Sequence, residues 1–380
     1  MASPLLGLPG AVAADGIDEG VVAHYGNPFV EQRRLEDGRA LAEVPRGIVA
    51  VAGPDRRSWL DSMTSQSLAR LAPAESAETL FLDPNGHVEH AVRVVDDGET
   101  AWLVVEPAEA APLAAFLDRM RFMLQVEVAD RSAEFAVLAG ADGPVWDAAP
   151  EAAAPHGTPL EWRDPWSDAP TPGGHPYASA DGHPGQFWHW RERLVPVDSL
   201  GALAQDARAG RIELAGSLAV EAIRVAAWRP RFATEVDAKT IPHELDWLRS
   251  AVHVSKGCYK GQETVAKVLN LGRPPRRLVL LHLDGSDTVL PVAGDPVFAD
   301  KTAADGSLDR REVGRITTAV QHHELGPVAL AVVKRAVPGD LPFVVIAHDT
   351  EVAAAQQQIV PADAAPAVDV PRLPRLGARP

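Results

Sequence analysis

An α+β fold, with ferredoxin-like split βαβ units followed by a small C-terminal β-barrel, is predicted by three features of this 380-residue chain. Between residues 47 and 140, short β-type apolar runs alternate with stretches of helical apolar spacing in the order β-α-β-β-β-α-β. Beyond residue 276, short β-rich runs separated by turn residues predominate, as in a barrel or sandwich. The length exceeds one ordinary core, and 46% hydrophobic with 23% charged residues is a globular balance, so two or three packed domains are expected.

Residues 1–19 are expected to be a flexible N-terminus. They are mildly apolar but carry Pro4 and Pro9 and no Lys or Arg ahead of the apolar part, unlike a secretion signal. The first α+β domain is read over 20–140. Run 48–52 ends at Gly53-Pro54, after which Trp59, Leu60, Met63, Leu68 and Leu71 recur at helical spacing. Runs 79–82 and 88–95 flank the hairpin turn Asp83-Pro84-Asn85-Gly86, and Asp96-Asp97-Gly98 turns into 101–105. Pro107 opens a second helix through Leu113, Phe116, Leu117, Met120 and Leu124, and 133–138 returns as the closing strand. The stretch 141–185, crowded with Pro, Gly, Ala and His, reads as a loop-rich insertion outside the core. A second α+β segment, 186–272, opens with helices around 200–207 and 218–226. Runs 276–284, 312–320 and 328–335 define a barrel domain over 273–352, and 353–380 reads as a disordered tail.

With 36 basic and 52 acidic residues the net charge is −16, which repels phosphate backbones, and the densest basic stretch, 273–277, holds only three arginines. Direct nucleic-acid binding is not expected. No apolar run approaches the ~18 residues of a spanning helix, so no membrane partner is expected either. The single cysteine, Cys258, has no intrachain disulfide partner, which fits a reducing, cytoplasmic setting. His243-Glu244-Leu245-Asp246-Trp247 lacks the second histidine of a zinc-protease helix, and His175, His183, His189 and the pair His322-His323 lack ligand spacing, so no metal site is expected.

The most concentrated chemistry is Lys256-Gly257-Cys258-Tyr259-Lys260-Gly261-Gln262-Glu263. A thiol between two lysines near a helix start should have its thiolate stabilised by both charges and the helix dipole, and the glycines allow sharp turns on either side. A buried structural cysteine beside a turn accounts for the same pattern. The octapeptide resembles the signature of the YgfZ family. Glu221-Ala222-Ile223-Arg224, Thr240-Ile241-Pro242-His243-Glu244, Asn270 to Leu278 and Val313-Gly314-Arg315-Ile316-Thr317-Thr318 resemble other segments of that family, over roughly residues 20–350, nearest to actinobacterial members.

The resemblance implies an aminomethyltransferase (T-protein) fold, a three-domain ring with tetrahydrofolate or a one-carbon derivative in a central channel. It implies that Glu244 hydrogen-bonds the pteridine, that Arg273 after Gly272 meets the folate's acidic tail, and that Trp102 packs on a ring. It implies further that Cys258 is the reactive group, with Lys256 and Lys260 expected to keep it charged and Gln262 and Glu263 to fix the turn. Where the enzymes carry paired aspartates, this chain has Glu89 and His90, and a neutral imidazole offers only one acceptor. Aminomethyl transfer is therefore not expected, although Glu89 could supply a carboxylate. The implied function is support of iron–sulfur enzyme assembly or repair, with indirect effects on tRNA modification and with client proteins or assembly factors as partners. The alternatives are a glycine-cleavage type aminomethyltransferase and a non-catalytic docking scaffold for iron–sulfur clients.

Overall fold

The computed structural model describes residues 3–179, 181–286, 288–302 and 308–364. The first sheet has the order Ser76–Leu82, Val88–Asp96, Thr100–Val105, Gly47–Ala52, Glu127–Asp130, with every neighbouring pair antiparallel. Successive residues of a strand face opposite sides. Val49, Val51, Phe81, Val94 and Leu103 therefore meet helices Arg56–Met63 and Ala110–Met120 on one face, while Ile48, Ala50, Leu80, Val95 and Trp102 are buried by the rest of the chain on the other. Burial on both faces explains why these strands read as nearly continuous apolar runs. The expected β-α-β-β-β-α-β order is present, but the closing strand is Glu127–Asp130 rather than 133–138. That edge strand is mostly exposed and has no apolar alternation to betray it.

Residues 135–141 instead enter a second sheet, ordered Glu161–Arg163, Trp190–Pro196, Phe135–Ala141, Ala40–Val44, Glu213–Ala215, whose last pair is parallel. Segment 20–140 is thus not one body: its ends belong to the second sheet and enclose the first. The stretch 141–185 is not outside the core. Trp162 and Trp166 are fully buried and donate their indole N–H groups to the carbonyls of Ala77 (2.9 Å) and Ala227 (3.0 Å), wedging the insertion between the two sheets. An aromatic side chain buries roughly 150–250 Å², which outweighs the surrounding proline and glycine. The N-terminus is also packed from residue 3 onward: Leu5 and Leu8 join a core with Leu200 and Leu203.

Arg276–Leu283, Pro296–Thr302, Leu308–His322, Gly326–Lys334, Phe343–Ala347 and Thr350–Gln358 close a six-stranded barrel, as the sequence predicts. Its last strand reaches into the expected tail, where of residues 353–358 only the inward Ala354 is buried in an Ala/Gln run. Ile359 and Val360 are buried as well. The remainder of that tail, 365–380, and residues 1–2 lie outside the described residues. No helix among the described residues is long and apolar enough to cross a membrane.

Buried ion pairs occupy the junction of the two sheets and the barrel. Arg231 pairs with Asp18 and Glu106 (2.9 Å each) and Glu221 (3.1 Å), and Arg229 with Glu78 (2.6 Å) and Asp164 (2.9 Å). Arg224 donates to Thr318 of the barrel (3.1 Å), whose hydroxyl donates to Glu235 (2.7 Å). The cavity left among these groups is about 30 Å³, the volume of one water.

Candidate functional site

The octapeptide lies on the loop that follows Val252 and runs into helix Gln262–Leu271. Gly261, at φ +84°, starts that helix against the 83–86 turn: a Cβ there would lie 2.6 Å from the Asp83 carbonyl oxygen and 3.1 Å from the Gly86 Cα. At Gly257 a Cβ would meet nothing within 4 Å. Gly261→Ala is expected to cost about 2 kcal/mol, from the left-handed backbone and the clash together, whereas Gly257→Ala stays close to wild type; thermal melts of the two variants compare them directly.

Both lysines of the motif are engaged elsewhere than at the thiol. Lys256 Nζ caps the end of helix Arg56–Met63, donating to the carbonyls of Asp61, Thr64 (2.9 Å) and Gln66 (2.7 Å). Burial lowers its pKa, against the opposing pull of Asp61. Lys260 pairs with Glu89 at 3.0 Å. Gln262 Nε2 donates back to the Lys256 carbonyl (3.1 Å), as the turn-fixing role requires, and Glu263 sits in the helix's first turn. Tyr259 is buried, and among the described residues its hydroxyl has no hydrogen-bond partner. Cys258 is exposed and free, so it is not a buried packing residue.

Three other segments converge on this loop. Val88 N donates to the Thr240 carbonyl (2.9 Å), His243 Nε2 contacts the Val265 carbonyl of the motif helix (3.1 Å), and Glu244 binds Arg276 at the start of the barrel (2.7 Å). Hairpin, Thr240–Glu244 segment, motif and barrel approach therefore meet.

Three of the four residues implied for folate are engaged within the protein. Glu244 is fully buried, and its two oxygens accept from Arg276 N (3.2 Å), Nε (3.0 Å) and Nη2 (2.7 Å) and from Ile241 N (3.4 Å). A carboxylate has about four acceptor positions, so none remains for a pterin. Trp102 is buried, donates to Asp97 (2.8 Å) and meets Phe135 edge-on, leaving no open face for stacking. His90 points to the helix side of its sheet, paired with Glu109 and edge-on to Phe81. Arg273 alone is exposed and, among the described residues, without an ion pair. Asp237 and Arg276, which bind each other, line a cavity of about 390 Å³. The sequence signal for this pair is the basic stretch Arg273-Pro274-Pro275-Arg276-Arg277.

The structure also gathers Glu36 with His322 and His323, a pair whose spacing in the sequence gives no ligand pattern. His322 Nδ1 accepts from the amides of Glu324 and Leu325 (3.2 Å each), so the neutral ring carries its proton on Nε2, facing Glu36 at 3.5 Å. His323 makes the clasp between helix Pro28–Glu36 and the barrel, bonding Glu36 through Nε2 (2.5 Å) and Gln32 Oε1 through its amide (2.8 Å), while His322 Nε2 has no hydrogen-bond partner among the described residues.

No family model matches the chain. Among curated proteins, a chloroplastic protein of Arabidopsis thaliana whose name provisionally assigns it as a transferase is 22% identical over 287 residues. The alignment covers 70% of this chain, and the chain spans about three-fifths (61%) of that relative's length. Among solved structures, the glycine cleavage system aminomethyltransferase T of Bartonella henselae is similar with a TM-score of 0.69 at 20% identity, over 93% of this chain and 94% of that one. The likeness takes in both sheets and the barrel: this chain has the fold of aminomethyltransferase T.

Proposed function

We propose that this chain is a reduced-folate-binding protein that supports the assembly or repair of iron–sulfur enzymes by presenting Cys258 to a client, with effects on tRNA modification following through those clients. The reading extends the resemblance to the YgfZ family. The observation that carries it is the exposed, free Cys258 on a loop whose neighbours are fixed: Lys256 on three carbonyls, Lys260 on Glu89, Gly261 against the hairpin. A cysteine kept for packing is ordinarily buried; a thiol held outward on a braced loop is placed to meet another molecule.

Aminomethyl transfer is the weaker reading, because it needs a carboxylate free to act at the reacting centre. Glu89 is neutralised by Lys260, and His90 is turned toward Glu109. The saturated Glu244 favours the docking scaffold as the second reading, in which no folate binds. Complementation decides the role of the thiol. In cells lacking the protein, Cys258→Ser is expected to accumulate to wild-type levels yet leave iron–sulfur enzyme activity near that of the empty control. Full recovery by this variant would remove the thiol from the mechanism.

A further inference from the structure

A cavity of about 340 Å³, within the usual range for small-molecule sites, opens where the second sheet, two helix ends and a barrel turn come together. Its aromatic lining is Phe187, Trp188 and Trp190. The tryptophans stack on each other with ring centres 4.5 Å apart, and Phe187 is 77% exposed at the rim. Trp188, Trp190 and Ile223 all line the cavity and belong to one apolar core, so they reach it from the same side of the sheet. Leu325, on the turn between strands Leu308–His322 and Gly326–Lys334, adds a partly exposed apolar group. The fixed charge of the lining has one sign: Glu36 and Glu324 contribute carboxylates, and no lysine or arginine among the described residues lines it. Helices Pro28–Glu36 and Ser217–Ala226 both end there, at Glu36 and Ala226, and a helix C-terminus carries negative partial charge.

We propose that this cavity binds a small organic cation with an apolar body, its substituted ammonium near Glu36 and Glu324 and its hydrocarbon part against Phe187, the tryptophan pair and Leu325. A cation is drawn to the negative face of an aromatic ring as well as to a carboxylate, so such a ligand gains from both kinds of lining. A hydrated metal ion would gain nothing from the rings or the leucine, and an anion would meet two carboxylates and two helix C-termini. Neither Cys258 nor any residue implied for folate lines the cavity, so this assignment stands apart from the proposed function.

Calorimetry of the full chain at about pH 8, above the ordinary imidazole range, tests the site with three phenyl compounds: cationic benzyltrimethylammonium, neutral benzyl alcohol and anionic benzenesulfonate. The cation should bind roughly tenfold or more tightly than the alcohol, and the sulfonate should not bind. Glu36→Gln should weaken the cation by roughly tenfold, the loss of one close charge. Leu325→Lys should abolish its binding by tethering a competing ammonium at the cavity. Leu325 is 44% exposed on a turn, so this variant decides the matter if Glu36→Gln loosens the His323 clasp. Equal binding of cation and alcohol would overturn recognition by charge. Cation binding that Leu325→Lys retains would overturn the location, and no binding of the cation by the wild type would overturn the site itself.

Discussion

Arg276→Met is expected to lower stability by about 3–5 kcal/mol, the usual cost of stripping one partner from a buried ion pair. Methionine keeps much of the stem's packing but removes the two strongest donors to Glu244, at 3.0 and 2.7 Å, and leaves a fully buried carboxylate on two backbone amides at 3.2 and 3.4 Å. Arg276→Lys should recover little, because an ammonium cannot reproduce the planar fork that also reaches Asp237. The double variant Glu244→Leu with Arg276→Met removes the stranded charge and should regain much of the loss. Urea unfolding of wild type, Glu244→Leu, Arg276→Met and the double variant measures the coupling, and an Arg276→Met protein near wild-type stability would show that the pair contributes little. The turn that carries Glu244 also touches the motif helix, through His243 Nε2 and the Val265 carbonyl at 3.1 Å.

The second large effect is expected at the three-body junction. Arg231→Met leaves Asp18, Glu106 and Glu221 without their shared cation, so a loss of at least about 3–5 kcal/mol is expected, with acid sensitivity altered as well. Burial raises the Glu106 carboxyl, but the charges of Arg231 and Arg46 outweigh this and hold it down at about 2, from an ordinary 4.5. A depressed carboxylate contributes its stability above its unfolded pKa and loses it as pH falls through the folded one. Wild-type stability should therefore fall by about 3 kcal/mol from this group between roughly pH 4.5 and pH 2. In Arg231→Met the fall in that window should be shallower. Equal slopes in denaturation curves taken across it would show that Arg231 does not hold Glu106 ionised.

The first sheet and the barrel were legible because their strands announce themselves: Asp83-Pro84-Asn85-Gly86 marks a turn, and two-sided burial keeps the flanking runs apolar. Glu127–Asp130 was illegible for the opposite reason, an exposed edge with nothing apolar to show. Trp162 and Trp166 were overlooked because the prolines and glycines around them describe a loop correctly, while saying nothing of where its side chains go. At the candidate site, the sequence identified the segments that come together but not the state of their charges. Glu244, Lys256 and Lys260 each look available in a string of letters. In three dimensions Arg276, three helix-end carbonyls and Glu89 have already claimed them. Such pairings join residues up to 195 positions apart, and no local pattern encodes them.

The nesting of the first sheet inside the second sets an order of assembly during synthesis. Residues 47–130 contain every strand of the inner sheet and both of its helices, so that body is complete once they have left the ribosome. Ala40–Val44, made earlier, must wait for Glu213–Ala215 to finish its own sheet, roughly 85 residues later, or about 4–17 s at common elongation rates. Until residues 162–166 are made, Leu80, Val95 and Trp102 face water on the uncovered side of a finished sheet, since the tryptophan wedge that helps bury them does not yet exist. The nascent chain thus passes through a period in which a chaperone, or a neighbouring chain, competes with its own remaining residues for that surface.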